Sequence, residues 1–141
     1  MKQPAWMIIA SLFLIGSGIS RADEKPSTGH PRQITVHLRE YQFEPAQIVL
    51  KAGEKVELTL MNDGTMMHEF ITEALKAMDV EVEINGVVAE TRGVEEMEIP
   101  QKARAVLHFT PETPGEFEIA CRAKEPKDHY REGMRGRLLI Q

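Results

Sequence analysis

The chain has 141 residues, of which 42% are hydrophobic and 28% charged, a composition that suits one globular domain and argues against disorder over its main body. Its 22 acidic residues outnumber the 17 basic ones, which gives a formal net charge of −5 at pH 7. Nucleic acid is therefore not an expected partner, because its phosphates would be repelled. The acidity either keeps the domain soluble or steers it towards a basic protein.

The first residues have the pattern of a secretory signal peptide. Lys2 precedes an apolar run from Trp6 to Ile15, and the small-x-small sequence Ser20-Arg-Ala22 follows. We predict a signal peptide over residues 1–22, so that the mature chain begins near Asp23 and is periplasmic or otherwise exported. The apolar run is short for a membrane span, so no stable span is expected in the mature, soluble chain.

Residues 23–33 contain Pro, Ser and Gly without periodicity and are predicted to be a flexible leader. From residue 34 to 141, apolar residues alternate in short segments bounded by turn residues, a pattern typical of β-strands in a sandwich. We predict an all-β domain over 34–141, a Greek-key β-sandwich of seven to eight strands. The segments lie at about 34–38, 47–50, 56–60, 68–70, 94–99, 103–109, 116–121 and 137–140.

Residues 73–93 are predicted to be an insertion in this domain. Val80, Val82 and Ile84 alternate, Asn85-Gly86 follows, and Val87 resumes the alternation, which is a strong signal for a two-residue hairpin. A short helical turn is expected before it, over 73–78. The hairpin would protrude as a ribbon and serve as structural decoration or as a docking element.

The stretch from Cys121 to Gly136 contains the residues with the most specific chemistry. It holds the only cysteine, then His129 and Met134, between two predicted strands. A thiolate, an imidazole and a thioether together favour copper, whereas carboxylate and carbonyl ligands favour magnesium or calcium. A trigonal copper site needs a second histidine, and His68, at the start of a predicted strand after the turn Asn62-Asp-Gly64, is the best candidate.

The other histidines are predicted not to be ligands. His30 falls in the leader, and His37 and His108 point away from the apolar faces of their strands. Met66 and Met67 flank His68 and form either a copper-attracting surface or part of the core. An unpaired Cys121 in an exported protein is open to oxidation unless it is a metal ligand or is buried for structural reasons.

Two sets of residues resemble cupredoxins, the plastocyanin- and azurin-type blue copper proteins, over most of the chain after residue 34. The first half has Phe43-x-Pro45-x-x-Ile48-x-Leu50-x-x-Gly53-x-x-Val56, Asn62-x-Gly64 and His68-x-Phe70. The second half has Phe109-Thr-Pro111, Pro114-Gly115-x-Phe117-x-x-x-Cys121 and His129-x-x-x-Gly133-Met134-x-Gly136-x-Leu138. The seven residues between Cys121 and His129 make a longer gap than that of plastocyanin, nearer to that of copper nitrite reductases, and Glu69 stands where many relatives have asparagine.

The resemblance implies one type 1 copper ion held by His68, Cys121, His129 and Met134, in a protein that carries single electrons between redox partner proteins. It also implies that an edge of His129 reaches the surface and conducts the electron, here through a polar rim, and that Asn62 links the two ligand loops. A copper-dependent enzyme is not expected, because oxidases and nitrite reductases of this fold hold additional copper with further histidines. A binuclear CuA site is not expected either, because it needs two cysteines in the ligand loop and this chain has one.

Two alternative hypotheses assign the chain to other classes of function. A periplasmic copper carrier or copper-resistance protein would use the same four ligands and differ in how readily it releases the metal. A sandwich without metal could serve only protein contact. Zinc can also occupy similar sites.

Overall fold

The computed structural model describes residues 29–141, so the predicted signal peptide (1–22) and residues 23–28 of the predicted leader lie outside the described residues. The described part has eleven β-strands and one short 3-10 helix, Glu73–Leu75. The strands are β1 (Arg32–Arg39), β2 (Gln42–Glu44), β3 (Gln47–Leu50), β4 (Val56–Asn62), β5 (His68–Ile71), β6 (Asp79–Ile84), β7 (Val87–Arg92), β8 (Glu96–Ile99), β9 (Arg104–Phe109), β10 (Gly115–Ala120) and β11 (Arg135–Ile140).

These strands form two sheets. The six-stranded sheet has the order β2-β1-β4-β9-β6-β7, and the five-stranded sheet has the order β3-β11-β10-β5-β8. Two neighbouring pairs, β1 with β4 and β11 with β3, are parallel, and the other pairs are antiparallel. The long connections that parallel neighbours require give the Greek-key links of a sandwich.

The core lies between the sheets and follows directly from the alternation in the sequence. In β4 the side chains of Val56, Leu58 and Leu60 are buried, while those between them are half-buried. Successive side chains of a strand point to opposite faces, so one apolar face per strand is sufficient to build this core. Each fully buried aliphatic side chain contributes about 1.5–3 kcal/mol relative to an exposed one.

The predicted β-sandwich is confirmed, with more strands than predicted. The eight predicted segments all form strands, the inserted hairpin adds two, and β2 is the eleventh. Three residues are too few to show a period, so β2 could not be recognised in the sequence. The first strand begins at Arg32, two residues before the predicted domain boundary, because Arg32 pairs with Val56.

The predicted hairpin is present as β6 and β7, with the turn at Asn85-Gly86. Both turn residues have positive φ, 51° and 79°, as the tightest hairpin turns require. The hairpin is not the free ribbon that was expected, because β6 pairs with β9 from Val80 to Ile84 and so widens the six-stranded sheet. Its outer strand, β7, is exposed along its whole length.

The predicted ligands lie on strand ends and on one connection. His68 is the first residue of β5, Cys121 directly follows β10, and the connection from Cys121 to Met134 leads into β11. Because β5 and β10 are neighbours, His68 and Cys121 start from adjacent strands. Within residues 29–141, no helix is long and apolar enough to cross a membrane.

Candidate metal centre

Three of the four predicted ligands meet at a single point between the sheets. One potential donor atom each of His68, Cys121 and His129 lies within 4.8 Å of the other two. The Nδ1 atoms of the two histidines are 3.3 Å apart, and the Cys121 Sγ lies 3.3 Å from the His129 Nδ1. All three side chains have a relative exposure of 0%.

The spacing of these donors suits a metal ion. Two imidazole nitrogens that each sit about 2 Å from one ion, at angles between tetrahedral and trigonal, lie about 3.3–3.5 Å from each other. The donor set is two imidazoles and one thiol, with no carboxylate in the cluster, which matches soft or borderline ions. The residues present therefore fit a copper ion, and the same geometry also accommodates zinc.

His129 is held by its own loop and by an aromatic ring from the turn between β1 and β2. Its backbone N–H donates to the Ala123 carbonyl at 2.9 Å, and its Nε2 lies 3.0 Å from the Glu125 carbonyl. With Nε2 donating to that carbonyl, Nδ1 is the nitrogen left free to face the centre. The expectation that an edge of His129 reaches the surface is wrong, because the ring is fully buried and Tyr41 packs edge-on against it at 5.3 Å between centroids.

His68 presents Nδ1 to the centre and Nε2 towards the loop before it. This Nε2 is buried and has no hydrogen-bond partner among the described residues. A Cβ placed on Gly64 would lie 2.9 Å from this nitrogen and 2.8 Å from Glu40 Oε1, so Gly64 leaves the space between the imidazole and that carboxylate. Burial lowers the pKa of His68, and the neighbouring His129 lowers it further, which favours the neutral imidazole that a metal requires.

Cys121 is set by hydrogen bonds from the neighbouring strand. The backbone N–H of Glu69 points to its Sγ at 3.3 Å, and the Glu69 carboxylate accepts from the Arg122 backbone N–H at 2.8 Å. Glu69, which departs from the asparagine of many relatives, therefore joins β5 to the residue after the cysteine. Burial raises the pKa of the Cys121 thiol, so copper binding has to displace a proton from it.

Met134 is fully buried, and its backbone is hydrogen-bonded to Cys121 and His129, the other two predicted ligands on the connection. Its N–H donates to the His129 carbonyl at 2.9 Å, and its carbonyl accepts from the Cys121 N–H at 3.1 Å. The two bonds fix Met134 beside the cysteine and the histidine.

Asn62 supports the His68 loop by three hydrogen bonds. Its Nδ2 donates to the carbonyls of Met66 and Ile99, both at 2.8 Å, and its Oδ1 accepts from the Gly64 N–H at 2.9 Å. The side chain is 1% exposed. Asn62 thus ties this loop to β8, and not to the Cys121–Met134 connection as the resemblance implied.

The remaining histidines and methionines stay outside the cluster. His37 lies 2.5 Å from Asp63 through its Nδ1, His108 is half-buried, and His30 is exposed. Met66 is half-buried and Met67 is 38% exposed.

Two residues near the centre were missed at the sequence level, Glu40 and Tyr41. They form the two-residue turn between β1 and β2, and Tyr41 has a φ of 62°. The backbone N–H of Thr65 lowers the pKa of Glu40, with a further contribution from the Thr65 hydroxyl, which donates at 2.8 Å. The one signal in the sequence for this pair is a tyrosine at a turn position where glycine is favoured.

Two other features of the described part contain none of the four predicted ligands. Glu69, Glu96 and Glu98 bring carboxylates together on the five-stranded sheet, two of them exposed, as acidic surface residues often are. A cavity of about 750 Å³ is lined by residues such as Lys55, Glu73 and His108 and includes none of the four predicted ligands. Neither feature shares its chemistry with the histidine and cysteine cluster.

The fold is similar to several kinds of solved protein structure. Auracyanin from Roseiflexus castenholzii superposes with a TM-score of 0.52 at 14% identity, covering 80% of this chain and 99% of that one. A copper nitrite reductase from Nitrosomonas europaea gives a TM-score of 0.59 at 15% identity, covering 83% of this chain and 52% of the reductase. A multicopper oxidase from Campylobacter jejuni gives 0.59 at 14% identity, covering 82% of this chain and 31% of the oxidase. The chain thus spans about half or less of the two enzymes.

A sequence relative covers nearly the whole chain. The copper-resistant cuproprotein CopI of Pseudomonas aeruginosa is 27% identical over 178 aligned positions, covering 98% of this chain and 96% of that protein. The model of the Cupredoxin-like domain family matches residues 5–139. With a two-sheet sandwich and a histidine and cysteine cluster between strand ends, the chain belongs to the Cupredoxin-like domain family.

Proposed function

We propose that this chain binds one copper ion in a type 1 site and carries single electrons between protein partners. His68 and His129 would bind through Nδ1 and Cys121 through Sγ, with Met134 as the weaker axial ligand. The observation that carries this proposal is the convergence of the three equatorial donors, fully buried and 3.3 Å apart in two of their pairs. Copper supplies the one-electron couple at such a site.

The surrounding residues suit fast electron exchange because they fix the donors before any metal arrives. His129 is fixed by Glu125 and Tyr41, Cys121 by Glu69, and the His68 loop by Asn62. Because these donors cannot move to the geometry that either oxidation state of copper prefers, the coordination geometry changes little when an electron is gained or lost. The axial role of Met134 is supported by its complete burial and by its backbone bonds to the two other residues of the connection.

The test is to add Cu(II) to the purified chain lacking residues 1–22. A type 1 site gives an intense sulfur-to-copper absorption band and a narrow copper hyperfine splitting in electron paramagnetic resonance. Both should disappear in Cys121→Ala, while the circular dichroism of the fold stays unchanged. A pale tetragonal copper spectrum in the parent protein would contradict the proposal.

A second candidate function is copper delivery or copper resistance, and the relative in Pseudomonas aeruginosa favours it by its description as a copper-resistant cuproprotein. The same ligands would then hold copper until a recipient takes it. Competition with a Cu(I) chelator and with a Cu(II) chelator separates the two functions. An electron carrier retains its copper through repeated oxidation and reduction, whereas a delivery protein releases it in one of the two states.

We also propose that the chain is exported and has no enzymatic activity of its own. The apolar run after Lys2 supports export, and cleavage after residue 22 can be checked by mass spectrometry of the secreted protein. Among the described residues, His68, Cys121 and His129 form the one candidate cluster that contains histidine. Turnover of nitrite, or oxidation of a phenol by oxygen, would contradict the proposed absence of activity.

A further inference from the structure

The turn between β1 and β2, formed by Glu40 and Tyr41, lies against both histidines of the candidate centre. Tyr41 packs edge-on against His129, with 5.3 Å between the ring centroids and 84° between the ring planes. Glu40 Oε1 and His68 Nε2 both lie within 3 Å of the point where a Cβ on Gly64 would sit, so the two atoms are within about 6 Å of each other. One short turn therefore reaches two ligands that are 61 residues apart in sequence.

The turn is also bound to both ligand loops. Glu40 accepts hydrogen bonds from the backbone N–H and the hydroxyl of Thr65, in the loop before His68. The Lys127 ammonium lies 5.8 Å from the centre of the Tyr41 ring, on the connection that carries His129. Contacts on both sides keep the turn closed over the space between the loops.

The backbone of the turn indicates that the ring is needed. Tyr41 has a φ of 62°, in the left-handed region that glycine occupies freely and that costs other residues about 1–2 kcal/mol. A bulky side chain at such a position is retained when its contacts offset that cost. Here the contacts are with His129 and with the edge of the core.

We infer that Glu40 and Tyr41 are positioning residues that close the metal centre against solvent and external ligands, with Tyr41 covering His129 and Glu40 facing the Nε2–H of His68. The inference rests on the proposed function only for the identity of the enclosed metal. A histidine that binds metal through one nitrogen generally donates its other N–H to a carboxylate, a carbonyl or water. The Glu125 carbonyl lies 3.0 Å from the His129 Nε2. The His68 Nε2 has no hydrogen-bond partner among the described residues, and the Glu40 carboxylate lies within about 6 Å of it.

The first test uses the copper-free protein, so that it does not depend on metal binding. Cys121 is fully buried, and its rate of reaction with the aromatic disulfide DTNB reports access to the centre. Tyr41→Gly removes the ring and relieves the backbone at once, so the fold is expected to survive. We expect the reaction to be at least tenfold faster than in the parent protein.

Tyr130→Ala is the matched control for Tyr41→Gly. Its ring packs beneath Arg122, on the same connection, and beneath Arg135 of β11, and its hydroxyl donates to Glu118 of β10. The ring is therefore held by these contacts and does not make the contact with His129 that Tyr41 makes. We expect its thiol rate to stay within about twofold of the parent. An unchanged rate in Tyr41→Gly, or an equal increase in Tyr130→Ala, would overturn the inference.

Glu40→Ala provides an independent variant, because it breaks the tie to Thr65 and leaves Tyr41 in place. We expect a smaller increase in the thiol rate, and Glu57→Ala, on the far side of β4 where Glu57 bonds Gln33, should leave the rate unchanged. In the copper-loaded protein, azide should change the copper resonance spectrum of Tyr41→Gly but not that of the parent. A parent protein that takes up no copper would refute the proposed function alone, since the thiol rates still decide whether the turn covers the centre.

Discussion

The connection from Cys121 to Met134 and the β6–β7 hairpin are two contrasting parts of this sandwich, because they differ in what their side chains touch. In the connection, Cys121, His129 and Met134 are fully buried and bonded to one another through the backbone. At the hairpin, Val87 and Val88 are 70% and 54% exposed. The conformation of the connection therefore depends on what it encloses, whereas that of the hairpin depends on strand pairing and on its Asn-Gly turn.

The residues that support the connection and those that support the hairpin differ in the same way. We use "metal end" for His68, Cys121, His129 and Met134 together with the loops that hold them. Substitutions of buried residues at the metal end should affect both stability and metal binding. Substitutions in the hairpin should affect stability slightly and metal binding not at all.

The two asparagines of the chain give the sharpest test of this difference, and the largest expected effect. Asn62→Ala leaves one buried carbonyl, one part-buried carbonyl and one buried N–H without their partner, so we expect about 3 kcal/mol less free energy of unfolding. Asn85→Ala only places alanine at a φ of 51°, which costs about 1 kcal/mol. Urea denaturation of the copper-free proteins measures both, and equal losses would break the comparison.

Two glycines provide a second pair. A Cβ on Gly136 would lie 2.4 Å from the backbone carbonyl oxygen of Ala46, so Gly136→Ala has to push β11 away from the chain before β3. We expect a loss of about 2 kcal/mol from this overpacking. Gly86→Ala has open space around its Cβ and pays only for its φ of 79°, about 1 kcal/mol.

The melting temperatures of the two glycine variants show which one loses more stability. Their copper spectra show whether either substitution disturbs the metal centre. Gly136 lies two residues after Met134, so its variant should show a shifted spectrum as well. A normal spectrum in Gly136→Ala, or an altered one in Gly86→Ala, would contradict the division between the two features.

A smaller effect is expected from pH in the copper-free protein. Because burial lowers the pKa of His68 below its usual value of 6.5, the unfolded chain binds a proton there before the folded chain does. The free energy of unfolding should therefore fall as the pH drops below about 6.5, until the folded protein is protonated too. In His68→Gln this part of the slope should be absent, and an unchanged slope would show that another group is responsible.

The smallest effect is expected at the exposed edge of the hairpin. Val88→Thr changes a side chain that is 54% exposed, so we expect a change in stability of under about 0.5 kcal/mol and an unaltered copper spectrum. Val36→Thr puts the same hydroxyl at a fully buried position of β1 and should cost more than about 1 kcal/mol. Thermal unfolding separates the two, and a large loss in Val88→Thr would show that β7 is packed against something.

The parts of the fold that follow from local chemistry could be predicted from the sequence. Alternation located the strands that contribute one face to the core, and Asn85-Gly86 located the hairpin turn. His68, Cys121 and His129 were identified because few residue types bind soft metals and because their order resembles one family. The resemblance implied that they converge, and the structure shows that their convergence depends on the pairing of β5 with β10.

What could not be predicted depends on contacts between distant segments. The burial of His129 depends on Tyr41, 88 positions earlier in the chain, and on a backbone conformation that tyrosine rarely adopts. The partners of Asn62 include the Ile99 carbonyl, 37 residues away, so its role in holding β8 left no local pattern. The pairing of β6 with β9 makes the hairpin part of the sheet. The alternation of apolar residues shows that β6 is a strand but does not show which strand lies beside it.

The position of β11 has a consequence for the order in which this protein matures. It is the last of the described strands, yet it lies inside its sheet, between β3 and β10. During synthesis, the segment carrying His68 is therefore made long before the strand that closes the sheet around it. β11 pairs with both β3 and β10, so this sheet is complete only after the segment that carries all four predicted ligands has been made.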